Sequence, residues 1–558
     1  MADTEFTSTG FGSESPFISM ETLSPEAVGS DDKPIKIRSS RIFKYMLLVA
    51  GSAVLAWTIL GSKFPHFAGE SAASLLLPLS IGVGLVVTGL AAGTAWLRFM
   101  SLFSLTVAGQ AASLLMIDAG RLIHFQHYRS FGELLSEHRL SLVVVVIQTL
   151  VIGAASLKYL RPVGLWIGKN VAVWKLLLAV PFWLFAAAAV TPDFAVYANS
   201  LLIGALVQVL SLISLVLLIA AVPAEGVSRF KGFWDKSITD AATNGSRKLD
   251  GFALAAALLV VVLSSSLSLF VYEAHPHVPD ETQYVFQARY MAAGQLSVKA
   301  PLVPEAFSMY MVPHLEDRWF GIFSPGWPAL LALGELAGLI WLVNPLLAGL
   351  CVLLAYLLFL ELYDRGFARI AVLLLCCSPW FIFMSMSLMS HVATLSFALA
   401  AAVLLARGRR NQSYILFGLA GAMVGIVSLV RPLDGAIMAL LLGIWTIAGR
   451  EHLKQKIASA FALVVGTFAT VLIVLPYNLA VTGRATLMPI DAYYDKYFWP
   501  NVMALGFGPE RGMGWGLDAF PGHSPFEAVI NGALNIFQLN TELFGWGLGS
   551  LAIVVLVL

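Results

Sequence analysis

The sequence predicts an all-α, polytopic transmembrane helical bundle of about 13 to 14 spans. Composition and the lengths of the apolar runs point there. Hydrophobic residues fill 58% of the 558 positions and charged residues only 12%, about half the share typical of a soluble chain. Mean hydropathy is +0.82. A soluble protein this apolar could not cover its core with polar surface, so most of the surface is expected to face lipid. The apolar runs also have the length that a spanning helix needs, about 20 residues. They lie near 42–60, 73–92, 96–117, 139–157, 172–190, 199–222 and 251–271, then near 345–363, 367–384, 390–406, 414–430, 433–449 and 457–478. A last run begins near 541 and is still apolar at Leu558, so the chain is expected to continue past that point.

Ahead of the first run, residues 1–32 are rich in Ser, Thr, Glu, Asp and Gly and cannot bury enough surface to fold. Lys33, Lys36, Arg38, Arg41 and Lys44 follow. That order predicts a disordered cytoplasmic tail over 1–41 and then a start-transfer helix. The net charge of +1 carries no footprint for nucleic acid. Cys351, Cys376 and Cys377 all lie in apolar runs and read as small core hydrophobes.

Orientation turns on the segment 327–342. Counted as a span, it puts Arg407, Arg409 and Arg410 on the outer side. Counted as a short interfacial or re-entrant helix, it leaves the basic loops on one side. Those loops hold Arg229, Lys231, Lys236, Arg247 and Lys248, then Arg365 and Arg369, then Arg407, Arg409 and Arg410, then Arg450, Lys454 and Lys456. The tendency of basic loops to stay cytoplasmic favours the interfacial helix, as do Pro325, Gly326 and Pro328 at its start. The expected layout is a six-span module (42–222), a cytoplasmic linker (223–250) and a second module (251–558). Outer loops then fall at 272–326, near Ser390–His391, near Arg431–Asp434, and at 479–540.

The loop after 251–271 carries Asp280 and Glu281 just behind Pro279. Tyr284, Ala288 and Met291 follow at helical spacing. Asp280 would sit at a helix N-terminus, where the macrodipole favours its ionised form. A carboxylate at the mouth of a membrane cavity can accept a proton from a hydroxyl; it can equally be a helix cap. The run Asp280-Glu281-Thr282-x-Tyr284-x-x-x-Ala288-Arg289-x-Met291-x-x-Gly294 resembles the first-loop motif of the GT-C membrane glycosyltransferases. The branch it is most similar to holds the lipid A aminoarabinose transferases and the protein O-mannosyltransferases. The stretch Phe323-Ser324-Pro325-Gly326-Trp327-Pro328 resembles the Pro-rich entry to the next helix, with Ser324 where the aminoarabinose branch has Lys. The resemblance covers about 251–558 and leaves 42–222 without a role.

What the resemblance implies is an inverting transfer of a sugar from a polyprenyl-phosphate donor to a hydroxyl acceptor on the non-cytoplasmic face; the expected membrane is a bacterial inner (plasma) membrane, with the site facing the periplasm or exterior. Asp280 would be the base, and Glu281 would position the loop or the acceptor. Arg431, Arg289 and Arg318 would hold the donor phosphate. Tyr284, His391, Asp434, Asn478 and Asp491 would line the substrate site. Each cation also has an ordinary explanation. Arg431 can snorkel or pair with Asp434, and Arg289 can form a salt bridge on an exposed helix face.

His275, His277 and His314 do not show a recognised zinc spacing. The resemblance still leaves a divalent cation open as a cofactor, because some relatives use one. Tyr493, Tyr494, Tyr497, Phe498, Trp499 and Trp515 fit an interfacial aromatic belt as well as a surface for stacking on sugars; Glu510 is a further acceptor-binding candidate. Two other functions fit the span count, a secondary transporter and a non-catalytic GT-C-like scaffold. Transporters tend to place functional charges near the bilayer midplane, whereas these charges gather at helix ends.

Overall fold

The computed structural model describes residues 41–61, 70–118, 126–191, 193–239, 249–307, 309–448, 452–512 and 522–543. The expected N-terminal tail, Arg247, Lys248, Arg450, Trp515 and the apolar run beyond 543 lie outside the described residues.

Apolar sequence becomes helix along nearly all of that length. The first part holds α1 (Arg41–Gly61), α2 (Glu70–Ala91), α3 (Leu97–Leu115), α4 (Phe131–Ser136), α5 (Arg139–Asn170), α6 (Val173–Ala187), α7 (Phe194–Ala220) and α8 (Ala224–Trp234). The second holds α9 (Gly251–Phe270), α10 (Pro279–Ala292), α11 (Gly326–Leu336), α12 (Val343–Leu362), α13 (Arg365–Cys376) and α14 (Pro379–Met386). It continues with α15 (His391–Asn411), α16 (Tyr414–Val430), α17 (Pro432–Ile447), α18 (Leu453–Val471), α19 (Val474–Thr482), α20 (Pro489–Tyr497) and α21 (Pro525–Glu542).

Among the described residues, seven helical segments are long and apolar enough to cross a membrane, or eight if the bent pair α13–α14 is one span. These make the chain a multi-pass membrane protein. The number is below the 13 to 14 expected because breaks shorten several apolar runs. Pro432 divides α16 from α17, leaving helices of 17 and 16 residues. A 63° bend at Cys377–Ser378 divides α13 from α14. Cys377 is exposed at that bend, while Cys351 is buried as expected of a small core hydrophobe. Helix α11 has 11 residues, roughly 16 Å of rise, which is too short to cross a hydrocarbon core of about 30 Å.

The second part runs alternately between two ends of the bundle. At one end Asp250 caps α9 through the Ala253 amide at 3.0 Å and pairs with Arg369 at 2.7 Å and Arg365 at 3.8 Å. Glu361, at the end of α12, pairs with Arg407 at 3.0 Å and with Arg410, at the end of α15. The opposite end gathers the start of α10, the start of α11, the residues before α15, and the α16–α17 junction. Helices α16 and α18 meet backbone to backbone: a Cβ on Gly421 would lie 2.0 Å from the Leu463 carbonyl oxygen. Small residues permit this approach between membrane helices.

In the first part, Gln110 of α3 donates to Ser211 of α7 at 2.8 Å and Gln148 of α5 donates to Ser214 of α7 at 3.0 Å. Side-chain amides thus tie three helices together. The expected boundary between modules is crossed by α21. Its Asn540 amide donates to the Ala186 carbonyl at 3.0 Å, and Phe537 packs edge-on to Tyr128 with ring centroids 6.0 Å apart. The last described helix of the second module therefore lies against the first.

Candidate functional site

The site is built on the turn between α9 and α10. Glu273 and Ala274 both adopt left-handed backbone, with φ of 51° and 57°, a conformation that costs non-glycine residues about 1–2 kcal/mol each. This reverses the chain so that Tyr272 faces the first turn of α10. Pro279 then opens α10 at a position where its missing N–H would have no helical partner.

Glu281 is fully buried, with 0% exposure. The Tyr272 phenol donates to both of its oxygens at 3.1 and 3.2 Å, the His277 amide to Oε2 at 2.8 Å, and the Leu388 amide to Oε1 at 2.9 Å. Glu281 therefore fastens the first turn of α10 to the segment before α15. These contacts suit the role expected of it, positioning the loop.

Asp280 has different surroundings. It is half-buried, and among the described residues its carboxylate makes no hydrogen bond or ion pair. Burial lifts its pKa above the ordinary carboxylate value, the Glu281 charge adds to the lift, and the Arg431 guanidinium opposes it. The helix N-terminus was expected to favour the ionised form; burial outweighs it. A carboxylate with raised proton affinity is a stronger base than an ordinary aspartate.

Arg431 lies at the junction of α16 and α17. Its Nε donates to Asp434, and its Nη1 lies 3.5 Å from His391 Nε2. The guanidinium remains 39% exposed. The contact brings together the first turns of α15 and α17, whose N-terminal dipoles add to the positive charge of Arg431. Tyr284 joins the group: its phenol shares a hydrogen bond with Ser390 at 3.3 Å, and its ring lies 4.3 Å from that of Phe323. Burial pushes the Tyr284 phenol up to about 12, with Asp280 and Glu281 adding to the shift and Arg431 and Ser390 opposing it.

Other expected site residues are engaged elsewhere. Arg289 is exposed and lies 3.5 Å from Glu335 near the end of α11, nine residues and roughly 14 Å along α10 from Asp280. Arg318 donates to the Ala480 carbonyl at 3.2 Å and to Glu316 at 3.1 Å, which pins the loop to the end of α19. Asn478 is buried and donates to the Ala485 carbonyl at 3.2 Å, closing the turn after α19. Asp491 starts α20; burial raises its carboxyl and Asp495 adds to the shift. His275 Nδ1 and His277 Nε2 face the backbone carbonyls of Glu273 and Tyr272 at 3.1 and 2.9 Å. Among the described residues no three His, Cys, Asp or Glu side chains gather where a metal ion could be held.

One contributor was not singled out from the sequence. Gln287, with 0% exposure, donates to the Phe323 carbonyl at 3.0 Å and to the Tyr477 phenol at 3.2 Å. Its position was readable, since it follows Asp280 by seven and Tyr284 by three, on the same face of α10. Of the residues expected in an aromatic belt or a sugar-stacking surface, Tyr493 and Tyr494 are buried, with Tyr493 edge-on to Tyr494 and tilted against Tyr497 and Phe498. Burial lifts the Tyr494 phenol, and Tyr310 and Asp280 are among the groups that add to it.

A cavity of about 620 Å³ runs between α12, α13, α14 and α15. Its walls are almost wholly apolar and reach from Phe359 and Phe367 to His391. The groove therefore begins beside Arg431 and continues into the membrane-spanning part of the bundle. Comparison with known protein families, with curated proteins and with solved structures finds no match to this chain.

Proposed function

We propose that the chain is a membrane glycosyltransferase of the GT-C kind, moving a sugar from a polyprenyl-phosphate donor to a hydroxyl acceptor. The observation that carries this is the pairing of an unpartnered carboxylate of raised proton affinity, Asp280, with a cationic helix junction at Arg431 that opens onto an apolar groove. A base, an anion-binding group and a place for hydrocarbon are what a lipid-phosphate sugar requires. In the reaction, the acceptor O–H gives its proton to the Asp280 carboxylate. The acceptor oxygen bonds to the anomeric carbon as the bond from that carbon to the phosphate oxygen breaks. The electron pair leaves with the lipid phosphate, and configuration inverts. Arg431, supported by Asp434 and beside His391, stabilises the charge that develops on the leaving phosphate. The basic residues at the opposite end of the bundle favour a site on the non-cytoplasmic face, in bacteria the periplasmic side of the inner membrane.

The test is Asp280→Asn in purified, reconstituted protein supplied with a radiolabelled lipid-linked sugar. Transfer falls by about 10²- to 10⁴-fold, the scale of a lost general base, while thermal stability is retained. Full transfer by this variant removes Asp280 from the mechanism.

A further inference from the structure

A second cavity lies on the other side of α14. It measures about 440 Å³; its apolar walls come from Leu114 and Ile117 of the first module and Trp380, Phe383 and Met384 of α14, and its polar ones from Gln126 of the first module and Thr541 and Glu542 of α21. Trp380 and Met384 border both this cavity and the one that reaches His391. Both side chains belong to one eight-residue helix that the two cavities share as a wall. One of them is methionine, whose unbranched chain re-packs readily. Leu543, just after α21, borders the first cavity and accepts a hydrogen bond from Ser378 at 2.5 Å. The first module in turn fixes α21, through Asn540 to Ala186 and Gln126 to Glu542 at 3.1 Å. The first module thus contributes walls to the second cavity and holds the helix that closes the first.

We infer that the second cavity takes the distal part of the donor's hydrocarbon tail, so that the first module, otherwise without a role, discriminates donors by chain length. This rests on the lipid-phosphate reading of the Arg431 site. The occupant is an extended polyprenyl chain because most of the wall is apolar, with Gln126 and Glu542 hydrogen-bonded to each other, and because the space adjoins the groove that begins at the phosphate site and lies farther from that site than the first cavity's polar end. A short prenyl chain would fill the first cavity alone.

The experiment measures binding of undecaprenyl phosphate and farnesyl phosphate to the full chain in nanodiscs. Leu114→Trp and Ile117→Trp, on different elements, each fill the second cavity. Affinity for undecaprenyl phosphate should fall about tenfold, the scale of a couple of methylenes denied burial, with farnesyl phosphate unchanged. Equal losses for both lipids, or no loss for either, in both variants overturn the proposal and leave the space to bilayer acyl chains. If the unmodified chain binds neither lipid, the lipid-phosphate reading itself fails, and the chain-length role fails with it. Arg431→Gln separates the two levels: it should weaken both lipids alike, because it acts at the phosphate.

Discussion

Asp280 and Glu281 are neighbours in sequence, yet one carboxylate is saturated by donors and the other is left without any. Glu281→Gln keeps the shape but loses one accepting oxygen among four close contacts. Thermal unfolding should show a destabilisation of about 1–3 kcal/mol, the usual penalty for a buried hydrogen-bonding group deprived of its partner. For Asp280 the expectation concerns pH. The base works deprotonated and its pKa is raised, so transfer is present above that pKa and is lost as pH falls through it. The acid limb of kcat/KM should therefore lie above the ordinary carboxylate range. Arg431 holds the pKa down, so Arg431→Gln should move the limb to still higher pH. An acid limb at the value of a free aspartate would show that another group sets the profile.

At the level of elements, much of what the sequence announced came from prolines and charges. Pro279 opens α10, as its place just before Asp280 announced, and the shortness of α11 followed from Pro325, Gly326 and Pro328, whereas Pro489 opens α20 within a stretch expected to be loop. The partners of the charges were not legible. Glu281 is bound by the Leu388 backbone amide, 107 residues away, and a backbone N–H leaves no mark in a sequence. Arg289 was equally able to face the site or Glu335; only the packing of α10 on α11 decides. The Asp250 cap was hidden for a similar reason, because its partners Arg365 and Arg369 lie on α13. Burial works against the Asp250 charge, but the Ala253 amide and the Arg369 guanidinium hold its pKa below the ordinary value. Its contribution to stability is therefore present above the unfolded-state pKa and is lost as pH falls through the depressed one. Asp250→Asn leaves two largely buried arginines without their carboxylate. A loss of about 3 kcal/mol is expected, read as a lower midpoint of thermal unfolding in detergent at neutral pH and a smaller difference from the unmodified chain in acid.

For the whole molecule, the up-and-down path of α9 to α19 places Gln412 and Glu316 at opposite ends. Both are outside the membrane helices and adopt left-handed backbone, with φ of 51° and 56°. With Cys351, Cys376 and Cys377 replaced, single cysteines at these two positions should label from opposite sides of a sealed membrane with an impermeant maleimide. The cysteine at 316 should label from the exterior. Labelling of both from the same side would contradict the alternating path. The domain plan was the least legible feature at this scale: composition separated 42–222 from 251–558, but it could not show that α21 returns to pack against the first module.

The knot at Glu281 also sets an order of events during synthesis. Tyr272 and His277 leave the ribosome before Glu281, but Leu388 follows it by 107 residues. At about 5–20 residues per second, that amide arrives roughly 5–20 s later. For that interval the first turn of α10 has only its local donors, and the surface prepared for residues 388–391 has nothing to cover it. Asp280 can take its final place only after α11 to α14 have been made and α15 begins to dock. The chemistry of the first loop is thus assembled late, by the middle of the chain, and a nascent protein arrested before residue 388 would carry the motif without its site.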